Sequence, residues 1–91
     1  YLTFELKPKN VKKGSNGELK ALDKPYLRTS PKLTVKNLKK YVMMKLGLEN
    51  FADVELTCQD EILGTDHSLE FIKKTRWHES TNLVLHYRSL C

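Results

Sequence analysis

The stretch from Thr75 to Thr81 reads T-R-W-H-E-S-T and gathers the only tryptophan of the chain, a histidine, a carboxylate and a serine. Ser80, His78 and Glu79 are the side-chain types of an acyl-transfer site: a hydroxyl nucleophile, an imidazole base and a carboxylate to orient that base. Their spacing argues against such a site. Successive Cβ atoms of an extended chain point to opposite sides, so adjacent residues do not present their side chains to one another productively. A pocket and an oxyanion hole have no visible support elsewhere in the chain. These residues are therefore expected to form a polar connection into a final strand, and the chain is expected not to be an enzyme. Trp77 is then the anchor of the stretch, shielding one end of a core with its indole N–H on a carbonyl or water. A place at a partner surface is the sharper alternative for Trp77.

The elements that must position this stretch belong to one small domain. The 91 residues suffice for a single core, and 40% hydrophobic with 30% charged residues is a globular balance. No apolar run approaches the roughly 20 residues that span a bilayer, so no membrane role is expected. The chain opens inside a strand-like segment and stops at Cys91, and residues 1–91 read as a domain excised from a longer protein. Cys58 sits mid-strand by pattern and Cys91 is terminal, neither with a His or second Cys at ligand spacing. Zinc is unsupported, a buried thiol and a frayed terminal one are expected, and no cofactor is expected.

Charge is distributed unevenly. From Lys7 to Lys45 there are twelve Lys or Arg and only two acids, Glu18 and Asp23. From Leu46 to Ile72 there are seven acids, Glu49, Asp53, Glu55, Asp60, Glu61, Asp66 and Glu70, and no Lys or Arg. Such a chain can steer a partner electrostatically. Lys36, Lys39 and Lys40 form a candidate basic patch for nucleic acid or a histone. No aromatic stacking motif accompanies them, so a solvated helix face is the preferred reading.

Periodicity gives the elements. Y-L-T-F-E-L-K alternates, with Leu2, Phe4 and Leu6 on one face and Thr3 and Glu5 on the other. Pro8 breaks it, and a mobile hairpin loop is expected over residues 8–24, with Asn16-Gly17 as a turn signal. Pro25 suits the start of an edge strand through K-P-Y-L-R-T-S. Thr34 is a candidate N-cap for a helix whose Val35, Leu38, Val42 and Leu46 recur at helical spacing, ending at a left-handed Gly47 with Leu48 packing back. Met43 falls towards the basic face, as a peripheral filler or a partner contact. A-D-V-E-L-T-C alternates with Val54, Leu56 and Cys58 inward and Glu55 and Thr57 outward. Gln59-Asp60-Glu61 reads as a turn, Ile62-Leu63 as a very short strand, and S-L-E-F-I-K-K as a short helix capped by Ser68. N-L-V-L-H-Y-R closes the chain as a strand with Leu83, Leu85 and Tyr87 on one face. This order predicts an α+β β-grasp: a mixed four- to five-stranded sheet, one main helix over one face, a short second helix, and a wet opposite face.

Order and spacing resemble ubiquitin, and more closely the RAWUL domain. This is the ubiquitin-like module C-terminal to the RING in Polycomb-group RING-finger proteins and their RING1-type partners. The matching residues are Y-L-R-T-S, T-V-K-N-L-K-K-Y with M-K-L-G-L, S-L-E-F-I ending at Trp77, and L-V-L-H-Y. The segment from Phe51 to Leu63 is more similar to the Polycomb-group RING-finger branch. The resemblance implies a nuclear, non-catalytic module that binds a Polycomb-complex subunit or co-repressor, often by strand pairing at a sheet edge, and that can support self-association. No Gly-Gly tail for conjugation is present. An edge strand carries unpaired N–H and C=O groups whatever its family. Tyr26, Leu27, Arg28 and Thr29 are therefore the candidate partner-binding residues, with Met43 and Trp77 beside them. Leu27 is expected to face the core, which leaves Tyr26 and Arg28 for contact.

Overall fold

The computed structural model describes residues 1–9 and 25–89. Among them, the elements in chain order are β1 (Leu2–Pro8), β2 (Tyr26–Thr29), α1 (Val35–Leu46), β3 (Val54–Cys58), β4 (Glu61–Ile62), α2 (Leu69–Thr75) and β5 (Leu83–Ser89). A single 3-10 turn, Phe51–Asp53, leads into β3. The strands form one mixed sheet in the order β2-β1-β5-β3-β4. β1 and β5 run parallel at its centre, while the β1–β2, β3–β5 and β3–β4 pairs are antiparallel. The hairpin loop expected over 8–24 lies, from residue 10 onward, outside the described residues, as does Cys91.

Alternation explains the sheet. Leu2, Phe4 and Leu6 of β1, Val54, Leu56 and Cys58 of β3, and Leu83, Leu85 and Tyr87 of β5 are buried on one face. Val35, Leu38 and Val42, spaced as one helical stripe, join them in the same core. The ends of α1 are fixed by chemistry visible in the sequence. The Thr34 hydroxyl accepts from the Asn37 N–H at 3.4 Å, and Gly47 adopts φ 72°. Beyond it, the N–H groups of Gly47 and Leu48 donate to the carbonyls of Met44 and Met43, a Schellman ending.

The two helix starts are tied to each other. The N–H groups of Val35 and Lys36, which have no partner within their own helix, donate to the carbonyls of His67 and Thr65 at 2.9 and 3.0 Å. In return, the N–H groups of Leu69 and Glu70 donate to the carbonyls of Leu33 and Pro31, both at 2.9 Å. Ser68 caps α2 through its hydroxyl, which accepts from the Phe71 N–H.

Two details of the sequence reading change. The β3–β4 turn consists of Gln59 and Asp60 alone, at φ 50° and 68°, so β4 begins at Glu61, one residue earlier than the pattern suggests. A two-residue loop with both positions left-handed closes the hairpin on the Cys58–Glu61 pair. The second face of the sheet is also less wet than expected. Thr3 is exposed, but Thr57 is 2% exposed and Glu5 and Glu55 are half-buried. Thr57 pairs between His86 and Ile62, whose larger side chains flank it, and Lys7 and Arg88 form ion pairs with the two carboxylates.

Left-handed backbone at Gln59 is costly for a residue without a short hydrogen-bonding side chain. Replacing Gln59-Asp60 by Asn-Gly should stabilise the fold by about 0.5–1 kcal/mol. A higher urea midpoint at unchanged slope is the expected result, and an unchanged or lower midpoint would show that the turn is not strained.

Candidate functional site

Among the described residues β2 forms one outer edge of the sheet, and its register decides what that edge offers. Leu6 pairs with Pro25, and the Leu6 N–H donates to the Pro25 carbonyl at 2.7 Å. In an antiparallel ladder, hydrogen-bonded pairs alternate with non-bonded ones. Phe4–Leu27 and Leu2–Thr29 are then the bonded pairs, while Tyr26 and Arg28, opposite Glu5 and Thr3, turn their N–H and C=O groups away from β1. Pro25 lacks an N–H to return to Leu6, which suits a proline at the head of an edge strand. The side chains alternate with the same period. Leu27 packs against the core, Thr29 is half-buried, and Tyr26 and Arg28 are exposed on the open face.

Tyr26 is 62% exposed. The Arg28 guanidinium lies over the ring of Tyr1, 4.7 Å from its centroid, a cation–π contact with the residue that precedes β1. The strand ends where the Ser30 carbonyl accepts from the Leu33 N–H and its hydroxyl accepts from the Lys32 N–H, a tight turn set by Pro31. The opposite edge is smaller. Leu63 N–H donates to the Leu56 carbonyl, so by the same alternation only Ile62 of the two-residue β4 turns its main chain outward. Beside it, Glu61 is held in an ion pair with Arg76.

The remaining candidates are distributed elsewhere. Met43 is half-buried against the core, and Met44 is the exposed methionine of α1. Leu48, whose N–H the Schellman ending returns to the Met43 carbonyl, packs against the same core. Trp77 is only 9% exposed, and its indole N–H donates to the Thr81 carbonyl at 2.9 Å. It closes the core and pins the connection into β5, so it offers little surface to a partner. His78, Glu79 and Ser80 are exposed along that connection, with no hydrogen bond among them. The basic patch is divided: Lys36 and Lys40 place their ammonium groups 5.9 and 5.7 Å from the Phe51 ring centroid, and Lys39 is half-buried. Burial pushes the Cys58 thiol up, with nearby Arg76 acting in the opposite direction. Among the described residues no three His, Cys, Asp or Glu side chains form a cluster able to hold a metal ion. Ile62 and Phe71 are exposed apolar residues that sequence reasoning did not single out as surface; alternation with the buried Leu63 and the inward Leu69 and Ile72 are the signals that place them outward.

The sheet order and crossing helix define a class first. The structure superimposes on that of ATG8 from Trypanosoma brucei with a TM-score of 0.76 at 16% identity, over 96% of this chain and 71% of that one. The fold is ubiquitin-like. The family model for the RAWUL domain, described as RING finger- and WD40-associated ubiquitin-like, matches residues 25–88, and the chain belongs to that family. It is 40% identical over 75 residues to Polycomb group RING finger protein 3 of Homo sapiens, covering 81% of this chain and 31% of that protein. It is 30% identical over 74 residues to Polycomb group RING finger protein 6 of Rattus norvegicus, covering 78% and 21%. The chain thus spans about a third or less of the relatives it matches.

Trp77→Ala should lower stability by about 3 kcal/mol through lost burial and the freed Thr81 carbonyl. Tyr26→Ala should stay within about 0.5 kcal/mol of the parent. Equal losses in urea unfolding would show that Tyr26 is core and not surface.

Proposed function

We propose that this domain is a non-catalytic protein-interaction module whose β2 edge receives an extended segment of a protein partner as an added strand. The observation that carries this reading is the outward turn of the Tyr26 and Arg28 main chain. An added strand there gains up to four N–H···O=C bonds without disturbing β1. Tyr26 and Arg28 are also residue types that concentrate binding energy at interfaces. The relatives are named as Polycomb group RING finger proteins. The partner is accordingly a Polycomb-complex subunit or co-repressor, met in the nucleus, and the domain contributes to transcriptional repression by recruiting it.

Main chain and side chain can be tested separately. Tyr26→Pro removes an outward N–H that β1 does not use, while Tyr26→Ala removes only the ring. In pull-downs from nuclear extract read by mass spectrometry, a specific partner should be lost with Tyr26→Pro and with Tyr26→Ala/Arg28→Ala. Affinity should fall roughly tenfold or more, with thermal unfolding of each variant kept near the parent. A partner retained in full by Tyr26→Pro would end the strand-addition reading.

A further inference from the structure

Five charged side chains of the described strands share the open face of the sheet: Glu5, Lys7, Arg28, Glu55 and Arg88. Four are matched within the sheet. Glu5 pairs with Lys7 at 3.6 Å, and Glu55 with Arg88 at 2.6 Å. Both carboxylates are largely covered, with side-chain exposures of 17% and 12%. Arg28 is the remainder. It is exposed, sits on the edge, and has no carboxylate partner among the described residues; its guanidinium rests over Tyr1. A cation–π contact neutralises no charge and leaves the planar fork of N–H donors available to a carboxylate. Along the sequence the stretch from Lys7 to Lys45 carries the same sign, with twelve Lys or Arg against two acids.

We infer that the segment received by β2 is acidic, with an Asp or Glu in register with Arg28. The inference rests on the strand-addition reading and names the chemistry of its occupant. A strand paired to Tyr26 and Arg28 places the residue opposite Arg28 on the same open face, with Cβ atoms about 5 Å apart, where opposite charges attract and like charges repel. The neighbouring position of the segment lies on the helix face beside Leu27, which already packs against the core, and so takes an apolar residue. The next returns to the open face beside Tyr26 and takes a β-branched or aromatic one. The pattern is therefore acidic, apolar, then β-branched or aromatic, read in whichever direction the strand runs. A basic segment is opposed twice, by Arg28 directly and by the field of the basic half of the chain.

The test uses phage-displayed random dodecapeptides panned on the immobilised chain, on its Arg28→Ala variant and on its Tyr26→Pro variant. Peptides retained by the parent should fail on Tyr26→Pro and carry Asp or Glu at one fixed position, and that preference should disappear from the pool selected on Arg28→Ala. For a synthetic peptide of the parent pool, Glu→Gln should weaken binding about three- to fivefold, and the difference should shrink as salt is raised. The Arg28→Glu variant should select Lys or Arg at the same position. Retained peptides that depend on Tyr26 main chain but show no acidic preference overturn this inference and leave strand addition standing. Peptides bound equally by Tyr26→Pro overturn strand addition itself, and a library from which the parent retains nothing counts against both.

Discussion

Phe4 and Leu6 of β1 lie in register with Leu83 and Leu85 of β5 in a parallel pair, and all four side chains are fully buried. Parallel neighbours cannot be joined by a tight turn, so the chain between them must cross from one end of the sheet to the other. β2 makes the first return. α1 then crosses between β2 and β3, which run the same way because each is antiparallel to one of the central strands, and it covers the face on which those side chains lie. Once the first and last strands occupy the centre, β2 and β4 have only the margins left. The free edge is thus a consequence of topology, and Pro25, Tyr26 and Arg28 decide its chemistry.

The open face shows how a sheet with one helix layer limits nonspecific adhesion. Its acids are paired with cations within reach on the same or the adjacent strand, and Thr57 is enclosed by its neighbours. Such exposed or half-exposed pairs contribute little stability each. Their effect is to leave the centre of the face charge-balanced and to concentrate unmatched character at the rim. β4, the other rim, is short and flanked by the Glu61–Arg76 pair, devices that discourage unwanted strand pairing.

Much of this was legible in the sequence, because the relevant rules are local. Period-two alternation placed Leu2, Phe4, Leu6, Leu83, Leu85 and Tyr87 correctly, and Thr34, Ser68 and Gly47 marked helix ends through hydrogen bonds and backbone freedom that they carry themselves. Leu27 and the Tyr26/Arg28 pair separated as expected for the same reason. What escaped depends on partners distant in sequence. The burial of Thr57 needs His86 and Ile62 beside it. The engagement of Lys36 and Lys40 needs the ring of Phe51. The turn at Gln59-Asp60-Glu61 was legible, but its two-residue left-handed form was not: neither Gln59 nor Asp60 is a glycine or asparagine, so nothing local advertises a left-handed pair.

The reciprocal hydrogen bonds between the two helix starts carry a consequence for how the molecule opens. α2 has seven residues, too few to persist as a helix alone. Its first amides are held by carbonyls of the segment leading into α1, whose own first amides are held by the segment leading into α2. Neither start can fray without exposing donors of the other. Four amides some thirty residues apart in sequence, those of Val35, Lys36, Leu69 and Glu70, therefore belong to one cooperative opening unit, and the smaller helix inherits the persistence of the larger.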